Sequence, residues 1–417
     1  MPTILHFADA HIDMINYGRH DPKSGLPMRV VDFLNSLDAI IDAAINEKVD
    51  LVLFAGDAYR DRSPAPTFQR EWGKRIMRLS KARIPTLLLI GNHDLSPALG
   101  RAHALEAFNT LEVPHVRGLD KPQFVDLRQE SSLELQVIAI PWVSRAGLIA
   151  QLGLPLKAEQ VYAEIERRLV DLVHQWLKEA DPDVPIILCA HGSVQGAVYG
   201  QERSVMLGGD LVLPGSLVRD PSLDYVALGH IHKPQDLNEG RHPPVVYPGS
   251  IERVDLSEAA DDKFYVIAHV ERSKTIVEWR KLEHIRPMIY RHLNLDDFFA
   301  SLERQDQESL TEYIRSALPP AKSLEGAIFA LRLEYPKQWE TMIDLAALRQ
   351  YASACFEFRL ELKPQREMRL RLPDDRTMES LSPMELLGYY WRSIHLDEDQ
   401  AAALNKLAED IIADSPV

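Results

Sequence analysis

Cysteine is nearly absent: 417 residues contain two, Cys189 and Cys355. A disulfide framework is therefore not expected, and the usage fits a reducing cytosol. No uninterrupted apolar run approaches membrane-spanning length. The first residues, Met1-Pro2-Thr3-Ile4, lack the basic start and apolar core of a secretory leader. No signal peptide is read, and a cytoplasmic location is expected. Positive charge is also short, with 47 Lys and Arg against 62 Asp and Glu, a net charge of −15. That balance disfavours an electrostatic footprint for nucleic acid over the whole surface, so DNA contact would need a local basic patch. Internal repeats and low-complexity tracts are missing. What remains is an ordinary globular composition, 46% hydrophobic, long enough for two or three domains.

One construction recurs along the chain. The apolar run Thr86-Leu87-Leu88-Leu89-Ile90 stops at Gly91 and then presents Asn92, His93 and Asp94. Ile4 to Ala8 leads into Asp9-Ala10-His11, and Leu51 to Ala55 into Gly56-Asp57. Ile186 to Ala190 leads into His191-Gly192, and Tyr225 to Leu228 into Gly229-His230-Ile231-His232. Runs this short read as buried strands, and the carboxyl edge of an α/β sheet is where ligands bind. Between the first three runs, Arg29 to Glu47 and Pro66 to Lys81 have helical spacing, with proline opening the second. The β-α-β-α-β order predicts a parallel core with right-handed crossovers.

Collected at these strand ends are Asp9, His11, Asp57, Asn92, His191, His230 and His232. Seven donors are too many for one catalytic metal and suit two that share a carboxylate. Oxygen and nitrogen donors without thiolate fit manganese, iron or zinc, and the residues do not choose among them. Two metals ~3.5–4 Å apart can clamp a phosphate and activate a water for in-line attack. Asp57, on the middle strand of the first three, is the natural bridge. Asp9 and His11 flank one metal, and Asn92 and His191 serve the other. His230 and His232, two apart on extended chain, face one side. His93 is left over, placed to protonate a leaving oxygen or to stabilise charge on phosphorus. Asp94 could orient its imidazole. Singly these signals are weak, since most Gly-Asp and Asp-x-His pairs are turns or caps. Together, each closing a buried strand, they point to a two-metal phosphoesterase. His6, inside the first strand, reads as a hydrogen-bonded core histidine, and Cys189 as a small core residue.

Asp9-x-His11, Gly56-Asp57, Gly91-Asn92-His93-Asp94, His191-Gly192 and Gly229-His230-Ile231-His232 resemble the signature of calcineurin-like metallophosphoesterases. The resemblance implies an α/β sandwich of two sheets flanked by helices. It implies that Asp9, His11, Asp57 and His232 hold one metal, that Asp57, Asn92, His191 and His230 hold the other, and that His93 is the catalytic histidine. A narrower resemblance is to SbcD-type DNA repair nucleases. It rests on Leu53 to Tyr59, Ala227 to Gln235, Tyr247 to Asp255 and the helix start at Ser382 to Leu387. That branch implies manganese, exonuclease activity on DNA with or without endonuclease activity, and a homodimer of the nuclease subunit. It also implies a small α+β capping domain after the core, and C-terminal helices that grip a coiled-coil ATPase of the SbcC type. One departure stands out: some nucleases of this wider group carry a histidine three residues after the bridging aspartate, where this chain has Arg60.

The expected domains are 1–282 for the nuclease core, 283–365 for the cap, and 366–417 for a linker and partner-binding helices. Strands are predicted near 123–127, 133–140, 245–247, 264–270, 275–279, 288–294, 327–335 and 355–363. Helices are predicted near 102–111, 158–180, 296–317 and 339–351. Ser382-Pro383-Met384-Glu385 forms a capping box. Leu387, Tyr390, Trp391 and Ile394 then make one apolar face, and Leu404, Leu407, Ala408 and Ile411 another. Candidate DNA contacts are Arg60, Arg62, Arg70, Lys74 and Arg78, the last three with Lys81 on one helical face. A solvated helix face explains them equally well. Lys363 to Arg376 is a second basic stretch, read as a linker. A phosphoesterase acting on nucleotides or other small phosphate esters would use the same site. A non-catalytic scaffold is opposed by the complete donor set.

Overall fold

The computed structural model describes residues 1–95, 101–143, 158–200, 212–296, 307–365, 381–393 and 396–413. The chain opens with β1 (Thr3–Phe7), α1 (Met28–Asn46), β2 (Leu51–Phe54), α2 (Pro66–Lys81) and β3 (Thr86–Leu89). The expected β-α-β-α-β series is present, and β1, β2 and β3 pair in parallel. A strand not anticipated, β4 (Val116–Leu119), adds parallel to β3 after the short helix α3 (Glu106–Thr110). The helix expected over 102–111 is thus only its last turn and a half.

Next come β5 (Gln123–Asp126), α4 (Leu127–Glu130), β6 (Gln136–Ile140), α5 (Ala158–Glu179) and β7 (Ile186–His191). Short pieces follow, β8 (Ser193–Val194), β9 (Val212–Leu213) and α6 (Gly215–Val218). They lead to β10 (Tyr225–Gly229), β11 (Gln235–Asp236) and β12 (Val245–Tyr247). The antiparallel pair β13 (Phe264–Glu271) and β14 (Lys274–Lys281) turns through Arg272 and Ser273. Two six-stranded sheets result, ordered β14-β13-β1-β2-β3-β4 and β11-β12-β10-β7-β6-β5.

Strand alternation sorts the apolar side chains into three layers. On β2, Leu51 and Leu53 join Val137, Ile187, Cys189 and Ala227 in the core between the sheets. Val52 and Phe54 face the other way, onto Val30, Phe33, Leu37 and Ile41 of α1 and Trp72 and Ile76 of α2. On β7, Leu188 and Ala190 pack outward with Leu169 and Val173 of α5. This is the α/β sandwich of two sheets flanked by helices. Strands covered on both faces carry most of their polar residues at their ends. His6 fits its core reading: it is fully buried, and its Nδ1 meets the Tyr225 hydroxyl at 2.9 Å. Burial pushes its pKa down from 6.5 to about 3.

Beyond the sandwich come β15 (Met288–Asn294), α7 (Gln307–Ala317), β16 (Ile328–Pro336), α8 (Leu345–Tyr351) and β17 (Glu357–Gln365). The strands form a sheet in the order β15-β16-β17. The helix expected over 339–351 is broken. A 3-10 turn covers Lys337–Met342, and α8 begins only after Asp344, whose carboxylate caps the Ala347 amide at 2.9 Å. The last helices are α9 (Pro383–Ser393) and α10 (Glu398–Ala413). The capping box is formed: Ser382 N donates to Glu385 Oε2 at 2.8 Å, and Glu385 N to Ser382 Oγ at 3.3 Å. Residues 297–306 of one expected helix, 366–376 of the basic linker, and Ile394 lie outside the described residues. By compactness the chain divides into two units. One is Met1–Arg291 with Pro319–Leu331 and Arg349–Arg359; the other is His292–Leu318 with Arg332–Leu348 and Leu360–Val417.

Candidate metal centre

The ends of β1, β2 and β3 bring Asp9, His11, Asp57 and Asn92 together, and the ends of β7 and β10 bring His191, His230 and His232. Two groups of donors converge, Asp9-His11-His232 and Asp57-His191-His230, each able to hold a metal ion. Asp57 stands between them, with Oδ2 3.4 Å from His191 Nε2 and 3.9 Å from His11 Nε2. Asn92 Oδ1 lies 3.0 Å from His191 Nε2 and 3.1 Å from His230 Nδ1.

The backbone is bent to present these groups. Asp9, His11, Asp57 and His230 all have positive φ, at 50°, 37°, 65° and 105°. Non-glycine residues seldom adopt such values, and strain of this kind gathers at functional sites. Gly91 is required by closeness: a Cβ there would collide with the Asp57 carboxylate and amide.

The imidazoles are aimed by their second nitrogens. His11 Nδ1 meets the Tyr59 carbonyl at 3.1 Å, His191 Nδ1 the Ala55 carbonyl at 2.7 Å, and His232 Nδ1 the Glu258 carboxylate at 2.9 Å. A carbonyl or carboxylate only accepts, so each Nδ1 carries the proton and each Nε2 offers a lone pair. The consequence is a concentration of acceptors. His11 Nε2 and His232 Nε2 face each other at 3.1 Å, and His191 Nε2 faces Asn92 Oδ1 and Asp57. Such an array is stable around positive charge. His191 shows the pull: burial lowers its pKa, but the Asp57 carboxylate beside it prevails and raises it to about 9. Asp57 is correspondingly held well below the usual carboxylate range, its burial outweighed by His191. The donor set therefore fits two divalent cations, with N and O ligands and no thiolate.

His93 lies beside this cluster. Its amide donates to Asp57 Oδ1 at 2.9 Å, and its ring meets the His11 ring edge-on, with 5.3 Å between centroids. Its Nδ1 binds the Arg60 carbonyl at 2.7 Å, not Asp94. The expectation that Asp94 orients His93 is corrected here. Asp94 is fully buried, and its two oxygens accept from the Asp57, Ala58 and Gly91 amides, each at 2.9 Å. It ties the β2 and β3 ends together and has no oxygen turned to the imidazole.

Two features were not seen in the sequence. Glu258 holds His232 and is itself held by Ser250, at 3.0 Å, and by the buried Lys263. Burial would raise the Glu258 pKa, but Lys263 and His232 hold it well below the usual range. Trp142, just past β6, packs on the His230 ring at 5.1 Å and on His191 at 6.2 Å. Its place at a strand end was the available signal. Glu258 ends a short 3-10 turn, Leu256–Glu258, which offers none.

The basic residues part company. Arg60 and Arg62 line a cavity of about 900 Å³ with His93, Asp13, Ile15 and Phe68. Arg62 also lines an adjoining cavity of about 520 Å³ with Arg101 and His103. Neither Arg62 nor Arg101 is paired with another described residue. Arg70 and Lys74 instead bind Glu71, at 2.9 and 2.8 Å, while Arg78 binds Asp38 at 3.0 Å and also Asp42. None of these three lines either cavity.

The family profile described as calcineurin-like phosphoesterase matches residues 2–234. The chain belongs to that family: it is a phosphoesterase hydrolase with a dimetal-type site. It is 32% identical over 276 residues to the SbcD subunit of the nuclease SbcCD from Rhodobacter capsulatus, covering 62% of this chain and 64% of that one. It is 25% identical over 309 residues to the SbcD subunit of the same nuclease from Escherichia coli K12, covering 72% and 73%. An uncharacterized metallophosphoesterase of Bacillus subtilis, YhaO, is 26% identical over 287 residues, covering 68% and 61%. The chain thus spans less than two thirds of the Rhodobacter and Bacillus proteins.

Proposed function

We propose that this chain is a manganese-dependent nuclease of the SbcD type, hydrolysing phosphodiester bonds of DNA in double-strand-break repair. The observation that carries the reading is that His93, which touches Asp57 and His11, also walls a cavity with Arg60 and Arg62, and that a second cavity shares Arg62 and includes Arg101. Guanidinium groups spaced along cavity walls, those of Arg62 and Arg101 unpaired among the described residues, suit a chain of phosphates, whereas a small ester needs one anchor. The names of the Rhodobacter and Escherichia relatives support the same reading.

In this scheme Asp9, His11, Asp57 and His232 hold one cation, and Asp57, Asn92, His191 and His230 the other. Bound there, the cations supply Lewis acidity at the phosphoryl oxygens and a nucleophile active at neutral pH. The chain does the rest. Glu258 keeps the His232 proton on Nδ1 and its lone pair on Nε2. The Arg60 carbonyl accepts the Nδ1 proton of His93, so in the imidazolium form the second proton, on Nε2, is the one available to the departing oxygen. Residues 283–365 are the proposed cap, and 366–417 the proposed seat of an SbcC-type ATPase. Tyr390 of α9 and Leu404 and Leu407 of α10, exposed at 43%, 38% and 56%, suit such a seat. A homodimer of the nuclease subunit completes the proposed assembly.

The test is hydrolysis of linear duplex DNA and of bis(4-nitrophenyl) phosphate with manganese, with and without the ATPase partner and ATP. Cleavage of duplex is the expected result. Turnover of the aryl ester with none on duplex would assign the chain to small phosphate esters instead.

A further inference from the structure

We infer that Asp13 is a positioning residue for His93, acting through the main chain of the turn at 59–61. It rests on the reading of His93 as the proton donor. Asp13 is buried two residues beyond His11 and is not one of the donors. Its carboxylate spans two successive amides: Oδ1 accepts from Arg60 N at 2.5 Å and Oδ2 from Asp61 N at 3.0 Å. The same turn uses its carbonyls in the opposite direction. Tyr59 O holds His11 Nδ1 at 3.1 Å, and Arg60 O holds His93 Nδ1 at 2.7 Å. One carboxylate therefore fixes the peptide units whose oxygens aim two imidazoles.

The alternatives for fixing His93 are already spoken for. Asp94 spends its oxygens on three backbone amides. The Arg60 side chain is exposed and reaches only Met14 Sδ, at 3.7 Å. The turn is thus held by its backbone, and the residue type at position 60 matters little to the orientation of His93. A side chain with two acceptor oxygens is needed at position 13, because both partners are N–H donors.

The experiment is a double-mutant cycle in the full chain with manganese, using Asp13→Asn and His93→Ala. Asn is nearly isosteric but turns one acceptor into a donor aimed at an N–H. Asp13→Asn alone is expected to lower kcat on a phosphodiester with an alkoxide leaving group by about tenfold or more. KM stays at the parent value, and all turnover is compared at saturating manganese, because the Tyr59 carbonyl that aims His11 belongs to the same turn. In the His93→Ala background the same change is expected to cost less than about twofold, because coupled positions are not additive. Asp13→Ser, which can accept one amide, is the second variant and should fall between. The NMR signals of the His93 ring should shift in both variants, reporting a changed ring position. Parent kcat in Asp13→Asn, or its full loss repeated in the His93→Ala background, overturns the inference. His93→Ala cleaving at the parent rate overturns the reading of His93 itself, which is a separate outcome.

Discussion

Two charged regions lie close together in the sequence and end in opposite states. The donors at the strand tips are buried, strained and aimed so that acceptors face acceptors. Arg70, Lys74 and Arg78 of α2 are exposed or half-exposed and already matched to acids on α1 and on α2 itself. The first region is unsatisfied within the chain and asks for an outside partner of positive charge. The second is satisfied and asks for nothing. Charge density alone does not mark a site; in this site the charge lacks a partner, and the guanidiniums of Arg62 and Arg101, unpaired among the described residues, belong with the first kind.

The contrast is broken most severely at Asp57, the only donor shared by both groups of ligands in the proposed assignment. Asp57→Asn is expected to empty both positions and to reduce phosphodiester hydrolysis on the order of 10³-fold or more, since each cation supplies several kcal/mol. Metal content by elemental analysis and turnover check it together. Retention of two metals would show that the carboxylate is not the bridge. His93→Ala is next: metal retained, turnover on duplex down by about 10²–10⁴-fold, with a smaller loss on the aryl ester. Glu258→Gln comes third. The amide can still accept from His232 Nδ1, but the carboxylate charge is gone. Metal affinity should fall by roughly 10–100-fold, read by titration of manganese into stripped protein.

The architecture was legible where burial is two-sided. Continuous apolar strands ending in Asp, Asn or His can be read without a structure, because the pleat forces polarity to their tips. The seven donors were found this way, and the structure brings them together. The partners that aim them were not legible, because most are backbone carbonyls: Tyr59, Arg60 and Ala55 act through oxygen atoms that any residue possesses. Asp94 misled because adjacency to His93 suggested pairing, whereas three amides compete for it. Strand β4 was missed because Val116-Arg117-Gly118-Leu119 has neither alternation nor length. Its place in the sheet comes from parallel pairing with β3.

The smallest effects test the comparison most directly. Arg62→Ala removes from the cavity wall a cation unpaired among the described residues. It should raise KM for duplex several-fold, leave the aryl ester unchanged and lower the salt dependence of DNA binding by about one contact. Substituting alanine for Arg70, Lys74 and Arg78 together removes three charges in place of one, so a count of charge predicts the larger loss. The pairing predicts the reverse. Glu71 and Asp38 would keep Arg75 as a partner, and pairs at exposed positions are worth about 0–1 kcal/mol each. KM for duplex should shift by less than about twofold at 0.15 M salt, where the screening length is about 8 Å. A triple variant that weakens DNA binding more than Arg62→Ala would show that α2 lies on the path of the strand, and that its acids yield to phosphate.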